Sequence, residues 1–162
     1  MCSILGIIDF DKKKQNKESE IKKINNLLKH RGPDDEGFYT DEYVSLAFNR
    51  LSILDLQKGN QPIKNNHIIS IFNGEIYNFK EIRKELEDYG FKFKTNSDSE
   101  IIPAAFLKWG IECISKFNGM FAISIYDLNE KKLYLIRDRI GIKPLYYSLF
   151  NGLLVFASEI SG

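Results

Sequence analysis

Apolar and polar residues along this chain fall into blocks that predict strands at both ends and helices between them. The first block, CSILGIIDF, is apolar and β-branched, which is typical of a buried strand. In ESEIKKINNLLKH the apolar residues Ile21, Ile24 and Leu28 recur at helical spacing, and the turn residues of RGPDDEG end the predicted helix. The runs YVSLAFN and LSILDL, on either side of Arg50, predict two more strands.

The middle of the chain predicts one further strand and two helices. HIISIF has the composition of a strand. NFKEIRKELEDYG has the pattern of an amphipathic helix, which should begin at Asn78 with a capping box and end at Gly90. SDSEIIPAAFLKWG predicts the next helix. Ser97 and Glu100 are spaced as its capping box, and Pro103 should kink it because the proline lies past the first turn.

The last third of the chain is rich in strand signals. MFAISIYD and KLYLIRD flank the polar turn LNEK, and PLYYSLF and LLVFAS flank Asn151-Gly152, a dipeptide typical of two-residue hairpin turns. Strands at the start, helices in the middle and hairpins at the end predict an α+β fold with largely antiparallel sheets. The length of 162 residues fits one domain.

The charge balance argues against two broad classes of function. The 23 basic and 22 acidic side chains leave a formal net charge of +1, so the chain lacks the electrostatic signature of a protein that binds nucleic acid or an acidic membrane surface. Its apolar runs all fall short of the ~20 residues of a membrane-spanning helix. Two cysteines and no recognisable secretion signal predict a cytoplasmic protein, in which Cys113 is most simply a buried apolar residue.

The first candidate for chemistry is Cys2, directly behind the initiator methionine. A cysteine near a terminus is ordinarily a strand-edge residue without a chemical role. If Met1 is removed, however, one residue carries both a thiol and a free α-amine. A free α-amine has an ordinary pKa of about 7.7–8.0, so it can serve as the base for the thiol. Position 2 alone does not decide between the two interpretations, because the rest of the chain must supply a pocket.

The segment IFNGEIYNF supplies the most informative polar residues. Asn73-Gly74 is ordinarily a hairpin turn, but here the chain continues into a predicted helix instead of returning as a strand. A side-chain amide beside a glycine N–H offers two donors to a developing oxyanion, and glycine lets the backbone approach closely. Glu75, the next residue, could accept hydrogen bonds from a substrate ammonium group.

Arg50 and Asp98 are candidates for holding a charged substrate. Arg50 interrupts an apolar stretch, and it is either a surface arginine or a guanidinium that binds a carboxylate through two parallel hydrogen bonds. Asp98 is either an N-terminal helix charge or a second ammonium acceptor. Together with Cys2, Asn73 and Gly74, these groups describe acyl transfer from a small zwitterion with a reactive side-chain carbonyl. Glutamine fits that description.

The two histidines, His30 and His67, do not suggest a metal site. Neither lies at ligand spacing from another histidine or from a cysteine. His30 is expected near a helix end, where a cation suits the helix dipole, and His67 is expected in a surface turn. A triad in which one of them serves as the base for Cys2 stays open at this point.

Eight blocks occur in order along nearly the whole chain: MCSILGI, HRGPD, NRLSILDL, NGEIYN, SDSE, NGMFAISIYD, RDRIGIKPLYY and FASEI. Together they resemble the glutaminase domain of class II glutamine amidotransferases. NGEIYN with RDRIGIKPLYY favours the branch of the glutamine-hydrolysing asparagine synthetases over the purine and aminosugar branches. The resemblance implies the N-terminal nucleophile hydrolase fold, in which two antiparallel sheets are stacked between helical layers.

The resemblance also implies a role for each candidate residue. The implied site consists of the nucleophile Cys2, the oxyanion-hole residues Asn73 and Gly74, the α-carboxylate ligand Arg50, the α-amine ligands Glu75 and Asp98, and a pocket backbone formed by Arg50, Leu51, Ser52, Ile53 and Leu54. Asp34 in HRGPD matches the family pattern, without an implied catalytic role.

The implied reaction is hydrolysis of the side-chain amide of L-glutamine through a thioester on Cys2, with ammonia passed to an acceptor. In the family an ATP- and Mg²⁺-dependent synthetase domain or subunit activates that acceptor. We therefore expect residues 1–162 to be the glutaminase domain, with no cofactor of its own, and the synthetase domain to lie outside this chain. Two alternatives stay open, a different acceptor and a non-catalytic module that only binds glutamine, and a second copy of the chain is a candidate partner in a homodimer.

Overall fold

The computed structural model describes residues 1–11, 17–51 and 60–160. The strands in these residues are β1 (Ser3–Asp9), β2 (Asp35–Thr40), β3 (Val44–Arg50), β4 (Ile63–Asn65), β5 (Ile68–Ile76), β6 (Gly119–Asp127), β7 (Lys132–Arg137), β8 (Tyr146–Phe150) and β9 (Leu153–Ala157). The α-helices are α1 (Lys17–Leu27), α2 (Phe79–Asp88), α3 (Ile101–Trp109) and α4 (Cys113–Lys116), with 3-10 turns at Asp98–Glu100 and Gly110–Glu112.

The strands form two antiparallel sheets. The first has the order β2-β3-β1-β9-β8, and the second has the order β4-β5-β6-β7. The N-terminal strand β1 is therefore central in the first sheet, between β3 and β9. In the second sheet, β6 pairs with β5 along the whole length of that strand. The predicted α+β class with antiparallel sheets is confirmed.

Side-chain alternation in the central strands divides the core into layers. In β1, Ile4 packs into a cluster between the two sheets, whereas the next residue, Leu5, packs with Ile21 of α1. In β5, Ile71 joins the cluster between the sheets, whereas Phe72 packs against residues of α2 and α3. The order of layers is α1, first sheet, second sheet, and then α2 with α3, as the family resemblance implied.

Two strands that the sequence pattern did not predict complete the sheets. β2 begins within the turn-like segment RGPDDEG, and it is held as a strand by pairing with β3 from Asp35 opposite Arg50 to Thr40 opposite Ser45. β4 has only three residues and pairs with β5. Both depend on a neighbouring strand more than on their own composition. Of the predicted strand LSILDL, residues 52–56 lie outside the described part of the chain.

The capping box predicted for α2 is wrong, although the helix begins where expected. Asn78 occupies the N-cap position, but its side chain makes no capping hydrogen bond. Its amide instead donates to the carbonyl of Lys116 and accepts from the backbone N–H of Asn118. The side chain therefore ties the start of α2 to the segment that leads into β6.

The capping box predicted before α3 is only half formed. The Ser97 hydroxyl accepts from the Ser99 N–H as an N-cap should. The Glu100 carboxylate does not return to Ser97 but accepts from the backbone amides of Lys94 and Thr95. Glu100 therefore stabilises the loop before α3 and does not complete the capping box.

The kink predicted at Pro103 is also wrong. A 3-10 turn precedes α3, so Pro103 is the third residue of the α-helix and lies in its first turn. A missing N–H costs no helical hydrogen bond at that position. The predicted stop at Gly90 (φ +91°) and the hairpin turn at Asn151-Gly152 are confirmed. Within the described residues, none of the helices has the length and apolar character needed to span a membrane.

Candidate active site

Cys2 lies at the head of the central strand β1, at the edge of the space between the two sheets. Its side chain packs against the apolar cluster that fills this space. The β1–β3 pairing ends with Ser3 opposite Asn49, so continuing the register places Cys2 opposite Arg50. The Leu51 N–H donates to the Cys2 sulfur across 3.4 Å. A backbone donor at this distance stabilises negative charge on sulfur. Leu51 therefore contacts the predicted nucleophile directly.

The backbone of Cys2 is held by Arg31, whose contact with Cys2 the sequence pattern did not reveal. The Arg31 Nε atom donates to the Cys2 carbonyl oxygen across 3.3 Å, and its Nη1 atom donates to Glu159 across 2.6 Å. The hydrogen bond from Arg31 keeps the pKa of Glu159 below its usual range, with a further contribution from His30. Arg31 belongs to the HRGPD block. The family resemblance therefore pointed to this segment but implied no role for Arg31.

Arg50 ends β3 with its side chain on the inter-sheet face. Leu46 and Phe48 of the same strand belong to the inter-sheet cluster, and strand alternation puts Arg50 on their side. The residue is 8% exposed, and its Nη1 atom donates to Asn60 Oδ1 across 3.3 Å. A shallow depression beside it is lined also by Phe48, Asn60 and Gln61. The sequence alternative of an open surface arginine is therefore wrong.

Asn73 continues the inter-sheet face of β5 beyond Ile69 and Ile71. The residue is 2% exposed, and its Nδ2 atom has no hydrogen-bond partner among the described residues. Leaving a buried donor unpaired typically costs about 1–3 kcal/mol, so such groups call for an explanation. The amide faces the same space as the side chain of Cys2. A substrate oxygen bound there would satisfy it.

Gly74 is a strand residue and not the hairpin turn that its dipeptide would ordinarily indicate. It pairs with Phe121 of β6. A Cβ atom at this position would lie 2.0 Å from the Met120 carbonyl oxygen, and the backbone φ of +155° disfavours other residues. Glycine is therefore required for the close approach of β5 and β6 at the end of the strand that carries Asn73.

Asp98 and Glu75 place two carboxylates near one another. Asp98 lies in the 3-10 turn before α3, and its Oδ2 atom accepts from the Ile76 N–H across 3.0 Å. Burial raises the pKa of Asp98, and the charge of Glu75 raises it further, against the opposing effect of backbone hydrogen bonds. An ammonium group bound at this position would relieve both the burial cost and the repulsion.

Three predicted pocket residues, Ser52, Ile53 and Leu54, lie outside the described part of the chain. His30 interacts with Glu159 through Nε2 and with the Leu27 carbonyl through Nδ1. His67 Nε2 lies 3.9 Å from Asp127 Oδ2. These contacts give neither histidine a hydrogen bond to Cys2.

Cys113 has the packing role predicted for it. It is fully buried in the cluster beneath α2 and α3. Burial raises the pKa of its thiol to about 12. The thiol is therefore held in its neutral form at ordinary pH.

The stacked antiparallel sheets between helical layers, with a cysteine at the head of a central strand, define an N-terminal nucleophile hydrolase fold. The same fold is found in the structure of glutamine phosphoribosylpyrophosphate amidotransferase from Bacillus subtilis complexed with ADP and GMP. The two structures align with a TM-score of 0.78 over 97% of this chain and 42% of that chain, at 19% sequence identity.

The chain belongs to the glutamine amidotransferase domain family, whose model matches residues 1–162. It is 44% identical to glutamine-hydrolysing asparagine synthetase 1 of Bacillus subtilis (strain 168), across 98% of this chain and 26% of the relative. It is 41% identical to glutamine-hydrolysing asparagine synthetase B of Escherichia coli (strain K12), across 99% of this chain and 29% of the relative. The chain thus spans a little over a quarter of the length of these curated relatives.

Proposed function

We propose that the chain hydrolyses the side-chain amide of L-glutamine to glutamate and ammonia through a thioester on Cys2. The observation that carries the proposal is the buried Asn73 amide, which lacks a partner among the described residues and faces the same space as Cys2. An unpaired donor opposite a nucleophile is the arrangement that stabilises a developing oxyanion.

The reaction begins when the α-amine of Cys2, free after removal of Met1, accepts the proton of the thiol. The sulfur attacks the side-chain carbonyl carbon of glutamine, and the resulting oxyanion is bound by the Asn73 amide and the Gly74 N–H. The α-ammonium then returns its proton to the departing nitrogen, and ammonia leaves as the carbon–nitrogen bond breaks. Water, deprotonated by the same amine, attacks the thioester and releases glutamate and the thiol.

The charged groups of the pocket match the two ends of the amino acid. Arg50 is assigned to the α-carboxylate, which its planar guanidinium binds through two parallel hydrogen bonds. Glu75 and Asp98 are assigned to the α-ammonium group, and the backbone of residues 50–54 is assigned to the pocket wall. Support for the second assignment comes from the raised pKa of Asp98, since the carboxylate is poorly solvated until a cation approaches.

The relatives suggest where the ammonia goes. Because both compared relatives are named as asparagine synthetases and are several times longer than this chain, we propose that the ammonia serves an ATP- and Mg²⁺-dependent synthetase domain or subunit, in the cytoplasm. ATP and Mg²⁺ are assigned to that partner and not to the glutaminase site. Aspartate is the acceptor that the names suggest, and other carboxylic acids or sugars are the alternatives.

The decisive experiment follows glutamate and ammonia release from glutamine without ATP, using protein whose first residue is Cys2. Wild-type protein and Cys113→Ala should both turn over glutamine, whereas Cys2→Ala should be inactive. Calorimetry with glutamine shows whether an inactive sample still binds. Binding without turnover in wild-type protein would contradict the proposal and favour a non-catalytic glutamine-binding module.

A further inference from the structure

The side chain of Gln61 makes two hydrogen bonds to the backbone of one residue in β5. Its Nε2 atom donates to the Phe72 carbonyl across 3.0 Å, and its Oε1 atom accepts from the Phe72 N–H across 2.5 Å. Gln61 is 7% exposed, so both bonds are shielded from water. Phe72 is the residue directly before Asn73, which makes Gln61 an immediate neighbour of the oxyanion donors.

These two hydrogen bonds take the place of the backbone pairing that β4 would make with β5 if β4 extended to residue 61. β4 pairs with β5 from Asn65 opposite Ile68 to Ile63 opposite Ser70. Continuing this register would place residue 61 opposite Phe72. One N–H and the oxygen of a side-chain amide can point in the same direction, so Gln61 bonds both the N–H and the C=O of Phe72, as a paired strand residue would.

The position of these bonds determines which backbone groups of β5 stay open. In an antiparallel strand, the N–H and C=O of one residue point to the same neighbour, and successive residues alternate between the two neighbours. Phe72 points to Gln61, and the Ile76 N–H points to Asp98. The Gly74 N–H, midway between them, therefore points to the same open edge of the sheet.

The backbone of Gln61 lies against the first sheet. Its carbonyl oxygen lies so close to Gly37 in β2 that a Cβ atom on that glycine would be 1.7 Å away. Gln61 thus spans from the edge of the first sheet to the backbone of β5 in the second. Cys2 is carried by the first sheet and Asn73 by the second, so Gln61 bridges the two sheets that carry these residues.

We propose that Gln61 is a positioning residue for glutamine hydrolysis: its amide holds β5 at Phe72 and thereby fixes the Asn73 amide and the Gly74 N–H relative to Cys2. The role rests on the proposed function, because it acts on the oxyanion hole assigned there. Gln61 does not touch the substrate in this assignment.

The test uses Gln61→Met, which keeps the side-chain volume but removes both hydrogen bonds. Lys64→Ala is the matched control, since Lys64 lies on the same edge in β4 with an exposed side chain. Hydrogen exchange should show the Phe72 amide protected in the wild type and in the control, and unprotected in Gln61→Met. We expect kcat to fall about tenfold in Gln61→Met, with KM for glutamine changed less than about twofold, because misplacing donors affects the transition state more than binding.

A double-mutant cycle separates positioning from general destabilisation. Asn73→Ala alone should lower kcat roughly 10²–10³-fold, as the loss of an oxyanion donor does elsewhere. Adding Gln61→Met to Asn73→Ala should then cost clearly less than tenfold, since the part of the effect that acts through the Asn73 amide is already lost and only the Gly74 N–H is left to misplace. An equal fold-loss of kcat in both backgrounds, or a protected Phe72 amide in Gln61→Met, would overturn the positioning role of Gln61. The proposed function would be unaffected by either result. A wild-type chain without glutaminase activity would overturn the proposed function as well.

Discussion

At the scale of single residues, the proposed site combines Arg50, which we assign to the substrate carboxylate, with the carboxylates of Glu75 and Asp98. Arg50→Lys keeps the charge but loses the planar pair of donors, so we expect glutamine binding to weaken by on the order of 1.5–3 kcal/mol. KM for glutamine should rise accordingly while kcat changes little, because the lost contact is made in both the ground and transition states. Steady-state kinetics of glutamate release measures both constants. A KM within about twofold of the wild type would remove Arg50 from the site.

Asp98 offers a prediction about pH. Its pKa is raised in the folded protein, chiefly by burial, so the folded state binds this proton more tightly than the unfolded state does. The stability that this group contributes is present below its ordinary pKa and is lost as pH rises through the raised pKa. Above its raised pKa, the ionised Asp98 carboxylate therefore opposes folding when no substrate is bound.

Asp98→Asn should consequently resist urea better than the wild type at pH 7, because an amide oxygen still accepts from the Ile76 N–H without carrying a charge. The difference in the free energy of unfolding should shrink as pH is lowered below the pKa of Asp98. The same substitution should raise KM for glutamine, since the ammonium group loses a charged partner. A difference in stability that stays constant from pH 7 to acidic pH would contradict this account.

At the scale of elements, the sequence predicted the strands and helices that have a strong pattern of their own. β1, β3 and the two C-terminal hairpins carry apolar runs, so their composition was sufficient. β2 and β4 were missed because their pairing with β3 and β5 comes from tertiary context. The polar side chains at helix starts were also misassigned, since Asn78 and Glu100 found backbone partners in neighbouring loops that no local pattern contains.

The pairing of β5 with β6 makes a prediction at this scale. Gly119 lies opposite Ile76, and a Cβ atom there would be 2.1 Å from the Glu75 carbonyl oxygen. Gly119→Ala must therefore push the two strands apart, and overpacking of this kind typically costs about 1–3 kcal/mol. Urea denaturation should show the loss, whereas Ser148→Ala on the exposed strand β8 should leave the free energy of unfolding nearly unchanged. If the free energy of unfolding of Gly119→Ala equals that of the wild type, β5 and β6 can move apart at this position without cost, which would contradict the prediction.

At the scale of the whole molecule, the site exists because two sheets stack. The sequence supplied the residue types, and the family resemblance assigned them roles, but neither could give the register that puts Cys2 opposite Arg50 or the face that Asn73 shares with Ile71. Arg31 and Gln61 were missed for the same reason. Their partners are the backbone atoms of Cys2 and Phe72, and contacts to backbone leave little trace in the sequence of the partner.

The N-terminus joins parts of the molecule that are distant in sequence. The Met1 ammonium group donates to the Arg31 carbonyl across 3.0 Å, and Lys143, in the loop after β7, contacts the Met1 sulfur at 3.3 Å. With Met1 in place, the nitrogen of Cys2 is a non-basic amide and the only α-amine lies one residue away from the thiol. Removal of Met1 would give Cys2 an α-amine of its own and would free the space that Met1 occupies.

We therefore predict that glutaminase activity requires Cys2 to be the first residue of the chain. A preparation with one extra residue before Cys2 should be inactive as a glutaminase, although its folding and its binding of glutamine through Arg50 are retained. Intact-mass measurement paired with the glutaminase assay decides the matter, with the processed protein as the matched control. Full activity in protein that uniformly carries Met1 would refute an N-terminal base and return the search to His30 and His67, whose described partners lie elsewhere.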